Sequence, residues 1–307
     1  MIVRPRPHWF RMLFIWRGSV LRKLVGRLLT IGLISVSAEL IHLYVDNNSL
    51  TGLNAQPFSL IGLALAIFLG FRTNVSHARY WDARKLWGSI MNASRALARQ
   101  TLTLTEWPAK SDDAQRFVRT LIAHSHALRH QLRATDPSDD LRRLLATEDL
   151  PRVLEARWKP IVILQLLGSQ LHTARRHGAS TDVLALAMEN NLQTLGDAVG
   201  GCEAIHGTPI PLTFSVLVHR TIYFYCTLLP FALVGSIGWY TPVFAMFVAY
   251  TFMALEAIAE ELESPFGIDD NDLALEAICD SIEASLLETL GEPLPPTKTT
   301  PKDFVLR

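Results

Sequence analysis

The lengths of the apolar runs in this chain limit its fold more than any other feature. Leu28 to Val45 reads LLTIGLISVSAELIHLYV, Phe58 to Phe71 reads FSLIGLALAIFLGF, and Leu212 to Ile258 is apolar almost throughout, broken by GSIGWYTP at Gly235 to Pro242. A helix needs about 20 apolar residues, rising about 1.5 Å each, to cross a hydrocarbon layer of about 30 Å. Leu28 to Val45 is therefore expected to span a bilayer despite Glu39 and His42, and Leu212 to Ile237 and Trp239 to Ile258 to form a pair, with Trp239 and Tyr240 at an interface. Phe58 to Phe71 is shorter, and by length alone a buried core or re-entrant helix competes. Charge distinguishes these readings. Arg4, Arg6, Arg11, Arg17, Arg22, Lys23 and Arg27 precede the first run without an acid among them, and Arg72, Arg79, Arg84 and Lys85 follow the second. Between the runs lies a turn, Asp46 to Gln56, with no Lys or Arg. Excess basic residues mark the cytoplasmic side, so the two runs read as a hairpin with both ends cytoplasmic.

Arg72 to Pro211 is of mixed polarity and helical period, and SHARYWDARKLWGSIMNASRALARQTL predicts that the second apolar helix continues past its membrane part. Pro108, Pro137, Pro151 and Pro160 punctuate this region; GASTDVLALAMENNLQTLGDAVGG predicts one helix capped by Ser180 or Thr181 and ended by Gly200. No strand-like alternation stands out. The resulting organisation is a basic segment (1–27), a membrane hairpin (28–71), a cytosolic helical region (72–211), a second membrane hairpin (212–260), an acidic helical segment (261–292) and a Pro-rich tail (293–307). Net charge is zero, so no global field attracts nucleic acid, but Glu256 to Glu292 holds twelve acids and no Lys or Arg. The basic start could dock on this segment, or fix topology and touch anionic headgroups. Cys202, Cys226 and Cys279 fit no disulfide or zinc pattern, which favours a reducing compartment. No cleavable signal is expected, because no small-residue cleavage site follows the first run.

Within the second run, Gly62, Ala66 and Gly70 share one stripe, a small-residue face that lets membrane helices approach closely. Beside it run Leu63, Ile67 and Phe71. In a ring of copies these three would point inward as a hydrophobic constriction; alternatively they face lipid or a monomer core. Glu39 and His42 are ionisable groups in a membrane helix, with a structural role or a place at a pore entrance open to them. His126 and His130 stand one turn apart beside His124, the spacing of a two-histidine metal site without an evident third ligand, and an inter-helix or solvated histidine cluster is the alternative. Glu203 and His206 form a single E-x-x-H, whereas di-iron bundles need two. No P-loop, dinucleotide turn or catalytic triad is visible, so no catalytic residue and no cofactor is expected.

The second run together with ARYWDARKLWG (Ala78 to Gly88), IPL (Ile210 to Leu212) and SPFGIDDND (Ser264 to Asp272) resembles the bestrophin family, over nearly the whole chain. The resemblance implies an all-α membrane protein with four transmembrane helices per subunit and a large helical cytosolic region. It also implies a homopentamer, each chain joined by four identical subunits around one axial pore in the inner membrane, with membrane lipid and permeating monovalent ions as its other partners. By the same resemblance Leu63, Ile67 and Phe71 form the pore neck and Val183 a cytosolic aperture; Val183 near a helix start also fits a plain core role. Asp269 and Asp272 match the carboxylates of a calcium clasp, although Ile268 and Asn271 interrupt the acidic run; as an alternative they cap the following helix. Animal members conduct chloride and prokaryotic members favour cations such as sodium. Ile67 stands where animal members carry an aromatic residue, and the expectation here is a cation (sodium) preference, with a chloride channel of the same fold, or a membrane-anchored sensor or enzyme, as alternatives.

Overall fold

The computed structural model describes residues 1–2, 8–12, 14–16, 18–44, 53–108, 110–294, 304 and 306. They form α1 (Trp9–Met12), α2 (Leu21–Tyr44), α3 (Ala55–Leu104), α4 (Asp112–Arg133), α5 (Ser138–Leu144), α6 (Leu150–Glu155), α7 (Lys159–Arg176), α8 (Asp182–Gly207), α9 (Leu212–Ile237), a 3-10 turn (Gly238–Tyr240), α10 (Thr241–Glu263) and α11 (Leu275–Leu290). No strand occurs among the described residues. Most of the expected Asp46 to Gln56 turn and of the 293–307 tail lies outside them.

The chain divides into two compact units. The hairpin unit is Arg4–Tyr80 with Pro209–Ser264, and the mixed-polarity unit is Met1–Val3, Trp81–Thr208 and Pro265–Arg307. The first division therefore falls nine residues beyond Phe71, within α3.

In the hairpin unit, α2 begins seven residues before the apolar run at Leu28, because Ser19 Oγ accepts the Leu21 N–H (3.2 Å) and supplies the start. Asn54 Oδ1 accepts the Gln56 N–H (2.9 Å) at the start of α3, and Pro57 sits in the first turn, where its missing N–H costs no helical hydrogen bond. Leu24 and Ile31 of α2, Leu65 and Leu69 of α3, Val218, Ile222 and Cys226 of α9, and Ala245, Ala249 and Met253 of α10 make one buried core. The long apolar stretch from Leu212 breaks at Gly238, whose φ of +52° and ψ of −132° suit a residue without Cβ. Three stretches, Leu21–Tyr44, Ala55–Leu104 and Leu212–Glu263, are long and apolar enough to cross a membrane, the last being the α9–turn–α10 pair.

In the mixed-polarity unit α4 is the hub, packing against α5, α7, α8 and α11 with Phe117, Leu121, Ile122 and Leu128 buried. Ser111 caps it through the Ala114 N–H (3.3 Å), with Asp112 and Asp113 beside the positive end of its dipole. Thr181, one of the two expected caps, accepts the Leu184 N–H (3.2 Å) to start α8. Gly200 does not end that helix, which runs on to Gly207. At the neighbouring Gly201 a Cβ would stand 2.8 Å from Leu86 Cδ2, so this glycine sits where the Leu86 side chain packs closely against the helix.

Candidate functional site

The candidate site is the face of α3 that finds no partner among the described residues. At 100° per residue, Leu65, Leu69, Arg72 and Ser76 cluster on one side of the helix, and all four are buried. Leu63, Ile67 and Phe71 fall roughly opposite them. They are 61%, 51% and 62% exposed, which removes the monomer-core alternative for these side chains. Three bulky apolar groups thus project from a helix already fastened along its other face. No ionisable side chain stands on this stripe between Leu63 and Phe71, so it offers neither charge nor side-chain hydrogen bond.

The small-residue stripe divides. At Gly62 a Cβ would stand 2.8 Å from Tyr225 Oη, so this glycine seats α3 against α9; Ala66 and Gly70 are exposed, and Gly70 has nothing within 4 Å of the corresponding point. Packing within the chain therefore runs through Leu65 and Leu69 instead of the full Gly62, Ala66, Gly70 set. Val183, in the first turn of α8 beside its Thr181 cap, is 80% exposed; the core alternative is corrected, because none of the described residues covers the start of that helix face.

Charged groups sit behind the apolar stripe. Arg72, 5% exposed, has Nη1 3.8 Å from Glu256 Oε1 and Nη2 3.5 Å from Glu263 Oε2, both on α10. Glu256 also meets His219 Nδ1 (2.8 Å), and Lys23 of the basic start pairs with Glu261 (2.9 Å). A buried guanidinium in an apolar unit requires such partners. In the sequence Arg72 is only a basic residue ending an apolar run, and its pairing carries no local signal. Glu39 is buried rather than at an interface, with Oε1 against the Gly238 turn.

Among the described residues no group of three or more His, Cys, Asp and Glu is arranged to hold a metal. His126 Nε2 bonds Glu283 Oε2 at 2.9 Å, and its Nδ1 lies 3.4 Å from Asp140, which also meets Arg129 (2.7 Å) and His130 (3.2 Å). Burial opposes protonation of His126, but hydrogen bonds to Asp140 and Glu283 outweigh it and raise its pKa. Burial likewise opposes ionisation of Glu283, yet His126 and Arg143 pull it down to about 2. His124 stands apart, with no partner for either ring nitrogen, and burial pushes it down to about 4. The cluster is an inter-helix ion network joining α4, α5 and α11. Glu203 accepts from Gln131 (2.6 Å) and builds no E-x-x-H site.

The Pro-Phe-Gly turn packs as one piece. Arg133, from the last turn of α4, donates to the carbonyls of Phe266 (3.4 Å) and Leu273 (3.2 Å) and pairs with Glu276 (3.2 Å). Asp272 Oδ2 accepts the Asp269 N–H (2.7 Å), and burial pushes its pKa up to about 6. The helix-cap alternative for these acids is corrected: α11 starts after Ala274 without a side-chain cap. One oxygen of the Asp272 carboxylate is thus taken up by the backbone of its own turn.

A family model described as Bacterial/Fungal Bestrophin protein matches residues 1–288. The chain belongs to the bestrophin family. It is 48% identical over 306 residues, the whole of both chains, to the voltage-dependent anion channel-forming protein RSc3414 of Ralstonia nicotianae. It is 42% identical over 301 residues, 98% of each chain, to the voltage-dependent anion channel-forming protein YneE of Escherichia coli K12. A crystal structure of a bacterial bestrophin homologue from Klebsiella pneumoniae superposes with a TM-score of 0.83 at 41% identity, covering 88% of this chain and 99% of that one. This bestrophin is a membrane ion-channel protein and not an enzyme.

Proposed function

We propose that this bestrophin is one of five identical subunits around an axial pore in the inner membrane, with both termini cytoplasmic. The hairpin unit supplies four membrane helices. Leu63, Ile67 and Phe71 of each copy line an apolar neck, Val183 rims a second aperture, and the function is passive conduction of monovalent ions. The observation carrying this reading is the unpartnered Leu63, Ile67, Phe71 face on a membrane helix whose opposite side is packed and ion-paired. Fivefold repetition would give those side chains one another as neighbours and leave a narrow throat whose wetting controls passage. Ala66 and Gly70, small and exposed beside the neck residues, suit close approach of a neighbouring copy.

Two readings of the permeant sign remain, because an apolar neck contributes no fixed charge. The relatives' names support anions and lend nothing to the cation preference expected from sequence. Ile67, in place of an aromatic residue, is the feature that favours cations. Calcium has no part in the proposal. The test is native mass spectrometry of the purified protein, followed by reversal potentials of the same sample in planar bilayers under a KCl gradient. A pentamer with a reversal potential near either Nernst limit supports the channel and decides the sign. A monomer, or a pentamer without current, refutes the reading.

A further inference from the structure

The neck stripe has a charged counterpart on the back of the same helix. Arg72 follows Phe71 directly but turns away from it by about 100°, into the packed side of the hairpin unit. There Glu256 and Glu263, two helical turns apart on α10, stand at 3.8 and 3.5 Å from its two terminal nitrogens. Two turns further along α3, Arg79 Nε donates to the Glu263 carbonyl (3.4 Å). The acids are themselves anchored: Glu263 Oε1 accepts the Ile210 N–H (3.2 Å) ahead of α9, and Glu256 meets His219 on α9 (2.8 Å). One short interval of α3 is thus tied to α10 twice, immediately after the last neck residue.

Resting on the neck reading above, we propose that Arg72 is a positioning residue that sets the rotation of α3, and so aims Phe71 and Ile67 at the pore axis. Apolar contacts tolerate sliding and small rotations, since one hydrophobic neighbour replaces another at little cost. A buried guanidinium does not, because turning it off its carboxylates leaves charges unpaired where water is scarce. The separations exceed hydrogen-bond length, and Arg72 Nε has no hydrogen-bond partner. Charge, and not the planar fork of the guanidinium, therefore does the positioning. Lysine should substitute for Arg72, and an uncharged side chain of similar length should not.

The experiment uses the full-length channel in planar bilayers, with Phe71→Cys as reporter and a charged water-soluble thiol reagent as probe. Cys202, Cys226 and Cys279 are buried, and the parent chain controls for them. Current through Phe71→Cys should change on modification; if it does not, the neck reading falls and this inference with it. In Phe71→Cys with Arg72→Met the modification rate should shift by about fivefold or more, the scale of a local coupling. In Phe71→Cys with Arg72→Lys it should stay within about twofold of the reporter alone. Val183→Cys with Arg72→Met should react as Val183→Cys does, and native mass spectrometry should show undiminished assembly, results that general destabilisation would not give. A reactive Phe71→Cys whose rate Arg72→Met leaves within about twofold overturns the positioning role while the neck reading stands. Should Arg72→Met fail to assemble, Glu256→Gln takes its place: a shifted rate supports the proposal and an unchanged one overturns it.

Discussion

Replacing Glu283 with glutamine isolates the electrostatics of the buried network in the mixed-polarity unit. Glu283 is 3% exposed and is held by His126 (2.9 Å) and Arg143 (2.9 Å from Nη2). Its pKa falls from 4.5 to about 2, which corresponds to about 3 kcal/mol of folding stability at neutral pH. Glutamine has nearly the same shape and accepts one of these hydrogen bonds, so the loss is that of the charge. For a cooperative unit of this size, about 3 kcal/mol lowers Tm by roughly 6–12 °C. The sign of the pH dependence follows from the lowered pKa: the contribution is complete above 4.5 and is lost as pH falls towards 2. The Tm gap between wild type and Glu283→Gln should therefore be full at pH 7 and close as pH drops below about 4. Thermal melting of the detergent-solubilised channel across that range measures it. Arg142→Gln, which removes an exposed pair with Asp139 (3.4 Å), is the control and should change stability by less than about 1 kcal/mol. A Glu283→Gln variant that melts within about 2 °C of wild type at pH 7, or a gap that stays constant on acidification, would refute the reasoning.

Alanine at Leu63, Ile67 and Phe71 together should widen and wet the neck and raise single-channel conductance; unchanged currents from a correctly assembled triple variant count against the neck. His124 is buried with no hydrogen-bond partner among the described residues, and its pKa is about 4 against 6.5 when free, so its protonation opposes the fold: the penalty is absent above pH 6.5 and grows as pH falls towards 4. His124→Leu should accordingly flatten the pH dependence of Tm over this interval, raising Tm most at about pH 4. Gly201→Ala should change stability by less than about 1 kcal/mol, because the new methyl meets only the end of the half-buried Leu86 side chain, which can turn aside, while alanine favours the helix by about as much; a Leu86→Ala background should make the substitution stabilising in a double-mutant cycle.

Much of the fold was legible from local signals. The apolar runs, the GSIGWYTP break and the Thr181 cap each act within a few residues, and the structure has helices bounded at Ile237 and Thr241 and a capped start at Asp182. Where a boundary depended on a distant contact, the local reading failed. Gly200 looked like a stop, whereas the helix runs on past it and Gly201, beside it, sits where Leu86, more than a hundred residues away, packs closely. Asp269 and Asp272 looked like caps, whereas the following helix starts without a side-chain cap and the turn before it is fastened by Arg133 from another helix. His126 and His130 were visible as a pair, but Asp140 and Glu283, which give the pair its role, come from two other helices.

By itself the sequence determined that this chain builds long apolar helices with basic flanks, and that one of them carries Leu63, Ile67 and Phe71 on a single face, because helical period and hydrophobicity are properties of neighbouring residues. Only tertiary structure decided which faces are covered. Leu65, Leu69 and Arg72 turn inward and Leu63, Ile67 and Phe71 do not, because the acids on α10 and the core of α2, α9 and α10 compete for one side of α3. That competition is settled by groups nearly two hundred residues apart, whose pairing no local pattern encodes.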